Sequence, residues 1–134
     1  MMTNAFRDQE KFMKACGQST EEYNHDQFNM YMALIKEEYN ELLVAQGYDL
    51  KTLTQEHPID EKETLDALID ILVVTIGAIH SAGYDAEGAW KEVMSTNFAK
   101  IDKDTGLVRK REDGKVLKPV GWVAPNLEPF LKKA

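Results

Sequence analysis

The sequence is short of several things, and each shortage narrows what the chain can be. It has one cysteine, Cys16, in 134 residues. A disulfide within the chain and a cysteine-based zinc cluster are therefore excluded. Of its four prolines, Pro119, Pro125 and Pro129 crowd the C-terminal end, where nothing regular is expected beyond a last short helix. The longest apolar run, ILVVTIGAI, has nine residues, well under the roughly 20 that a membrane-spanning helix needs. At the N-terminus no basic region leads into an apolar one, so the expectation is no secretory signal and a cytoplasmic location. Basic residues are also in deficit: 16 Lys and Arg stand against 23 Asp and Glu, a net charge of −7. That argues against nucleic acid as a partner, and nothing points to a membrane. An anionic substrate stays open, because a bound divalent cation reverses the local sign.

What is present reads as one all-α domain. Hydrophobic residues make up 43% and charged residues 29% of the chain, ordinary for a globular protein of this size. The spacing predicts four helices: about 4 to 16, 24 to 46, 60 to 82 and 86 to 100. Gly17, Gly47 and Gly83 are the expected stops, and Asp60 and Asp85 the expected starts of the last two. The third helix is apolar on most sides, which predicts the centre of a bundle or an oligomer interface. In "VRKREDGKVLK", Asp113-Gly114 predicts a hairpin between two short arms. The expected organisation is a single domain over 1–134, a four-helix bundle over 1–105 and a C-terminal arm over 106–134. Seven of the sixteen basic residues lie between Lys100 and Lys118, which suggests a cationic flap beside an acidic site.

The acidic site is suggested by "LIKEEYNELLVA", residues 34–45. The line Leu34, Glu38, Glu41, Ala45 runs along one helix face and carries two carboxylates among apolar residues. The third helix repeats the device with Asp66 and Asp70. If the two helices pack antiparallel, the pairs converge. Converging carboxylates repel, and such a cluster protonates or binds a cation. With oxygen ligands alone on offer, Mg²⁺ is the natural ion and Mn²⁺ the alternative. Mg²⁺ fills its shell with water and phosphate oxygens, so a phosphorylated ligand is implied. A single glutamate pair three apart usually lies on a solvated face; that pair together with an aspartate pair four apart, on helices that otherwise want burial, is less ordinary.

"EEYNEL" followed by "DALIDILVVTIGAIHSAGYD" resembles the all-α nucleoside triphosphate pyrophosphohydrolases. These include MazG-like proteins, phosphoribosyl-ATP pyrophosphohydrolase and the dimeric dUTPases, and the small phage-encoded MazG-like forms look most similar. "STNFAKID" resembles the family's Asn-and-Lys segment, and "REDGKVLKPVGWVAPNL" the lysine-bearing arm of the phage forms. The resemblance implies Mg²⁺-dependent cleavage of a nucleoside triphosphate to the monophosphate and pyrophosphate. Deoxynucleotides with guanine, dGTP first, are the natural first trial, beside GTP, and the compartment would be the host cytoplasm if the chain is phage-encoded. By position, Glu38 and Glu41 match the family's E-x-x-E, and Asp70 the aspartate of its E-x-x-D. Here Ala67 stands where that motif has Glu, and Asp66 is the expected substitute metal ligand. The resemblance gives Glu38 or Glu41 the task of orienting or deprotonating water, with Glu37 as an auxiliary group. It gives Lys100 a catalytic role against phosphate charge, Asn97 a phosphate or water contact, Lys115 and Lys118 closure over phosphates, and Trp122 base stacking. Gln18 is a further candidate for the base pocket. A homodimer or homotetramer is expected, burying the rest of the third helix.

Two other readings fit the composition less well or leave the chemistry out. A di-iron carboxylate bundle wants two Glu-x-x-His pairs, and only Glu22 and His25 fit; His57 and His80 have no matching partner. A non-enzymatic helical interaction or nucleotide-binding module is the alternative that the Ala67 departure favours.

Overall fold

Four short polar side chains start four helices in a computed structural model of the chain, which describes residues 3–133. Asn4, Asn24, Asp60 and Asp85 each accept a hydrogen bond from the backbone N–H three residues on, a cap that contributes roughly 1 kcal/mol. The helices are α1 (Ala5–Ala15), α2 (His25–Ala45), α3 (Glu61–Ser81) and α4 (Ala86–Phe98). A single 3-10 turn, Glu128–Phe130, follows near the C-terminus. Among the described residues no strand forms, and the all-α expectation stands. The hairpin at Asp113-Gly114 exists in reduced form, as one antiparallel bridge between Lys110 and Val116.

α2 and α3 make the most extensive contact, and their register positions everything that follows. Gln27 Nε2 donates to Ser81 Oγ at 2.8 Å. The Tyr31 ring lies against Gly77, where an added Cβ would sit 2.3 Å from Tyr31 Cε1. Gln46 Nε2 donates to Thr64 Oγ1 at 2.8 Å. Numbers rise along α2 as they fall along α3, so the helices run antiparallel. The loop between them is pinned at Gly47, whose φ of +87° suits glycine. A Cβ there would also meet the His57 carbonyl oxygen at 2.0 Å.

The core sits at the other end of this pair. Met13, Tyr31, Val74 and Ala78 are buried together, with Phe28, Leu34 and Ile35 packed against them. α1 closes this end against α3. The C-terminal tail returns to the same region: Asp85 N donates to Phe130 O at 2.9 Å and Lys133 N to Gly83 O at 3.2 Å.

One face of α3 has no cover among the described residues. Leu65, Leu68, Ile69 and Leu72 are 46–62% exposed. By length and composition α3 would suffice to cross a membrane, with a mean hydropathy of 1.6 over its best 18 residues. The central helix of a helical assembly gives the same pattern, and the contacts of α3 with α1, α2 and α4 place it there.

Candidate functional site

The antiparallel register that sets Tyr31 against Gly77 and Gln46 against Thr64 carries Glu38 to the level of Asp70. Glu38, Glu41 and Asp70 each bring a carboxylate oxygen within 4.8 Å of the other two. The stripe noted in the sequence explains how. Leu34 packs on the core and Ala45 is buried, so the helix face between them is held against α3. Glu38 is thereby half-buried, and its Oε2 is sealed from solvent with no hydrogen-bond partner. A carboxylate oxygen left unpaired in this way costs free energy unless a proton or a cation reaches it.

The electrostatics agree with the geometry. At 4.8 Å and an effective dielectric near 20, each ionised pair repels by about 3.5 kcal/mol before screening. Burial, followed by the neighbouring Glu41 carboxylate and the charges of Asp70 and Glu37, pushes the Glu38 carboxyl up to about 7. Burial, with the charges of Asp66 and Glu41, also raises Asp70. The donor set is oxygen only, which suits a hard divalent ion such as Mg²⁺. An unpaired oxygen, mutual spacing and donor type together fit such an ion between Glu38, Glu41 and Asp70.

Most of the remaining sequence candidates fall into two groups, and two lie apart from both. Asp66 is exposed and stands beside the cluster, in a cleft of about 570 Å³ that it lines with Glu37, Asn40, Glu41 and Ala67. Ala67 is only 3% exposed and fills the seam between α2 and α3. Among the described residues no Lys, Arg or His lines this acidic cleft. The cations gather elsewhere: Lys100, Lys103, Arg109 and Lys118 line a second cleft of about 540 Å³ at the end of α4. Asn97 Oδ1 accepts from Lys100 Nζ at 3.1 Å. Trp122 Nε1 donates to the Thr96 carbonyl at 2.7 Å, which ties the arm to α4. Lys115 lies in the hairpin turn and lines neither cleft. Gln18 Oε1 accepts from the Tyr31 hydroxyl at 2.6 Å, away from both.

One polar group had no signal in the sequence. His80 is 3% exposed. One ring nitrogen meets the Phe6 carbonyl at 2.8 Å and the other Lys133 Nζ at 3.2 Å. Lys133 also pairs with Glu10 at 3.1 Å. Burial lowers the His80 pKa, with the Phe6 carbonyl opposing and the Lys133 charge adding to the shift. This group ties the tail to α1 and α3. Its residues lie 53 and 123 positions apart, so no local pattern announces it.

Residues 7–97 match the family model described as phosphoribosyl-ATP pyrophosphohydrolase. The match takes in Glu38, Glu41, Asp66, Asp70 and Asn97, and it ends before Lys100 and the arm. Among curated proteins, none matches the chain.

Proposed function

Because the chain belongs to the phosphoribosyl-ATP pyrophosphohydrolase family, within the MazG-like superfamily, we propose that it hydrolyses nucleoside triphosphates between the α and β phosphates in a Mg²⁺-dependent reaction. The products would be a nucleoside monophosphate and pyrophosphate. The carrying observation is the three-carboxylate cluster with its unpaired, buried Glu38 oxygen. Membership of the family makes the chain a hydrolase acting on phosphoric anhydrides.

Glu38, Glu41 and Asp70 would hold the ion, and Asp66 would join through the adjoining cleft. A bound Mg²⁺, or Mn²⁺ in its place, supplies charge neutralisation for the phosphate oxygens and an acidified water. Of the chain's own groups, Glu38 is the base to test first. Its Oε2 has no hydrogen-bond partner among the described residues, which leaves it open to a water proton. Glu41 is the alternative base and Glu37 the nearest auxiliary. Lys100 and Lys118 would offset charge on the departing pyrophosphate. Asn97 and Lys115 complete the proposed substrate contacts.

A homodimer or a homotetramer belongs to the same proposal. The acidic and cationic clefts are lined by separate residues within one chain, and the α3 face of Leu65, Leu68, Ile69 and Leu72 is exposed. An apolar face of this kind favours a second copy, which would also bring cations toward the acidic cleft.

Pyrophosphate release from a panel of ribo- and deoxynucleotides, with and without Mg²⁺, tests the reading. dGTP and GTP are the first substrates to try. The second reading, a nucleotide-binding or interaction module, is favoured by Ala67 at the place of a family glutamate. It predicts nucleotide binding without any release.

A further inference from the structure

Trp122 is anchored before any ligand arrives. Its indole N–H is spent on the Thr96 carbonyl of α4. Its ring is met by two ammonium groups, Lys100 Nζ at 5.1 Å and Lys118 Nζ at 4.9 Å from the ring centroid. The first lysine follows the end of α4, and the second comes from the arm beyond the hairpin. Two ammonium groups drawn to one ring repel each other, and the electron-rich ring offsets only part of that repulsion. Such an arrangement is most stable with an anion between or beside the charges.

The surroundings strengthen this. Lys100 and Lys118 line the cleft at the end of α4 together with Lys103 and Arg109, Trp122 lines the groove adjoining it, and Asp102 is the one acid among the described residues that line the cleft. Asp102 is already engaged, taking Arg109 Nη2 at 3.3 Å and the backbone N–H groups of Asp104 and Thr105. Among the described residues no carboxylate pairs with Lys100, Lys103 or Lys118. The cleft therefore holds three ammonium groups without a counter-charge.

We propose that Trp122 is a positioning residue that gathers Lys100 and Lys118 into a binding site for a polyphosphate chain. The ligand chemistry is a run of linked phosphates, as in free pyrophosphate or the β and γ phosphates of a nucleotide. The proposal deepens the pyrophosphohydrolase reading and rests on it for its role in turnover. It replaces base stacking as the function of the ring.

The test uses the full chain with Trp90→Phe, which leaves Trp122 as the sole tryptophan of the two. Inorganic pyrophosphate, a non-hydrolysable nucleoside triphosphate and a nucleoside monophosphate are titrated without metal while Trp122 emission is followed. Drawing the ammonium groups from the ring to the anion should change that emission saturably. Pyrophosphate and the triphosphate should bind alike, and the monophosphate about tenfold more weakly. By calorimetry, Trp122→Leu should weaken pyrophosphate binding about fivefold while helical circular dichroism is unchanged. Lys118→Met should abolish most of the emission response. Emission unmoved at saturating pyrophosphate overturns the proposal, as does binding of the triphosphate alone. A folded Trp122→Leu chain with wild-type pyrophosphate affinity also overturns it; if that variant does not fold, the emission measurement decides. Pyrophosphate bound through Trp122 in a chain that releases none from nucleotides would sink the hydrolase reading and leave this site standing. Turnover in a chain whose Trp122 is indifferent to pyrophosphate would do the reverse.

Discussion

Titrating divalent ions into the protein at two pH values should reveal the proton that Glu38 carries. Burial and the neighbouring carboxylates hold this group at about 7, and an ion takes only the ionised form. At pH 6 roughly one Glu38 in eleven is ionised, at pH 8 roughly ten in eleven. Apparent Mg²⁺ affinity should thus rise about tenfold between the two, or about 1.4 kcal/mol. Asp70, also raised, adds to the slope in the same direction. Calorimetry in two buffers of different ionisation enthalpy, without nucleotide, should find about half a proton or more released per ion at pH 7. Glu38→Gln should bind more weakly and lose most of the pH dependence, keeping only what Asp70 supplies. An affinity that is flat from pH 6 to 8 in the wild type would refute the reasoning. So would an unchanged slope in Glu38→Gln.

Three further outcomes follow from particular contacts. Without metal, the folded chain holds the Glu38 proton from its ordinary value of 4.5 up to about 7, so stability falls as pH rises through that window. Urea melts in EDTA should therefore show Glu38→Gln more stable than wild type by ~1–2 kcal/mol at pH 8, after allowance for solvent screening, with no gain at pH 4. Gly77→Ala should destabilise by ~1–3 kcal/mol, read as a lower Tm, because its Cβ meets the buried Tyr31 ring on the α2–α3 seam. Ile69→Glu with Leu72→Glu should shift the chain to monomer in light scattering while circular dichroism stays helical, since both side chains are 50% exposed or more on the uncovered face of α3.

Much of the fold was legible because its signals are local. Gly17, Gly47 and Gly83 stop α1, α2 and α3 with positive φ, as expected. Asp60 and Asp85 cap α3 and α4. Helix ends agree with the expected ranges to within two residues. The acidic stripe on α2 and its counterpart on α3 were visible as exceptions to an apolar pattern. Their relative height was not, because register between two helices depends on contacts such as Tyr31 on Gly77 that no spacing encodes. Convergence of four carboxylates was expected, whereas three share the 4.8 Å grouping and Asp66 lines the cleft beside them. Nor could spacing distinguish Glu38, with its sealed oxygen, from the exposed Glu41. The basic run from Lys100 to Lys118 was plain, but its gathering around Trp122 depends on how the arm folds back onto α4. The tie between His80, Lys133 and Glu10 joins distant segments and left no trace in the pattern.

On this proposal Glu38, Glu41 and Asp70 form one divalent-ion centre that serves the cleavage of nucleoside triphosphates. Pyrophosphate release by the wild type, Glu41→Gln and Asp70→Asn, each with Mg²⁺ and with EDTA, tests it most directly. Release should require Mg²⁺ and fall by on the order of 100-fold or more in each variant, since loss of a ligand should cost at least as much as loss of the groups that orient one. Release that persists in EDTA, or an Asp70→Asn chain that keeps near-normal activity at saturating Mg²⁺, would contradict it.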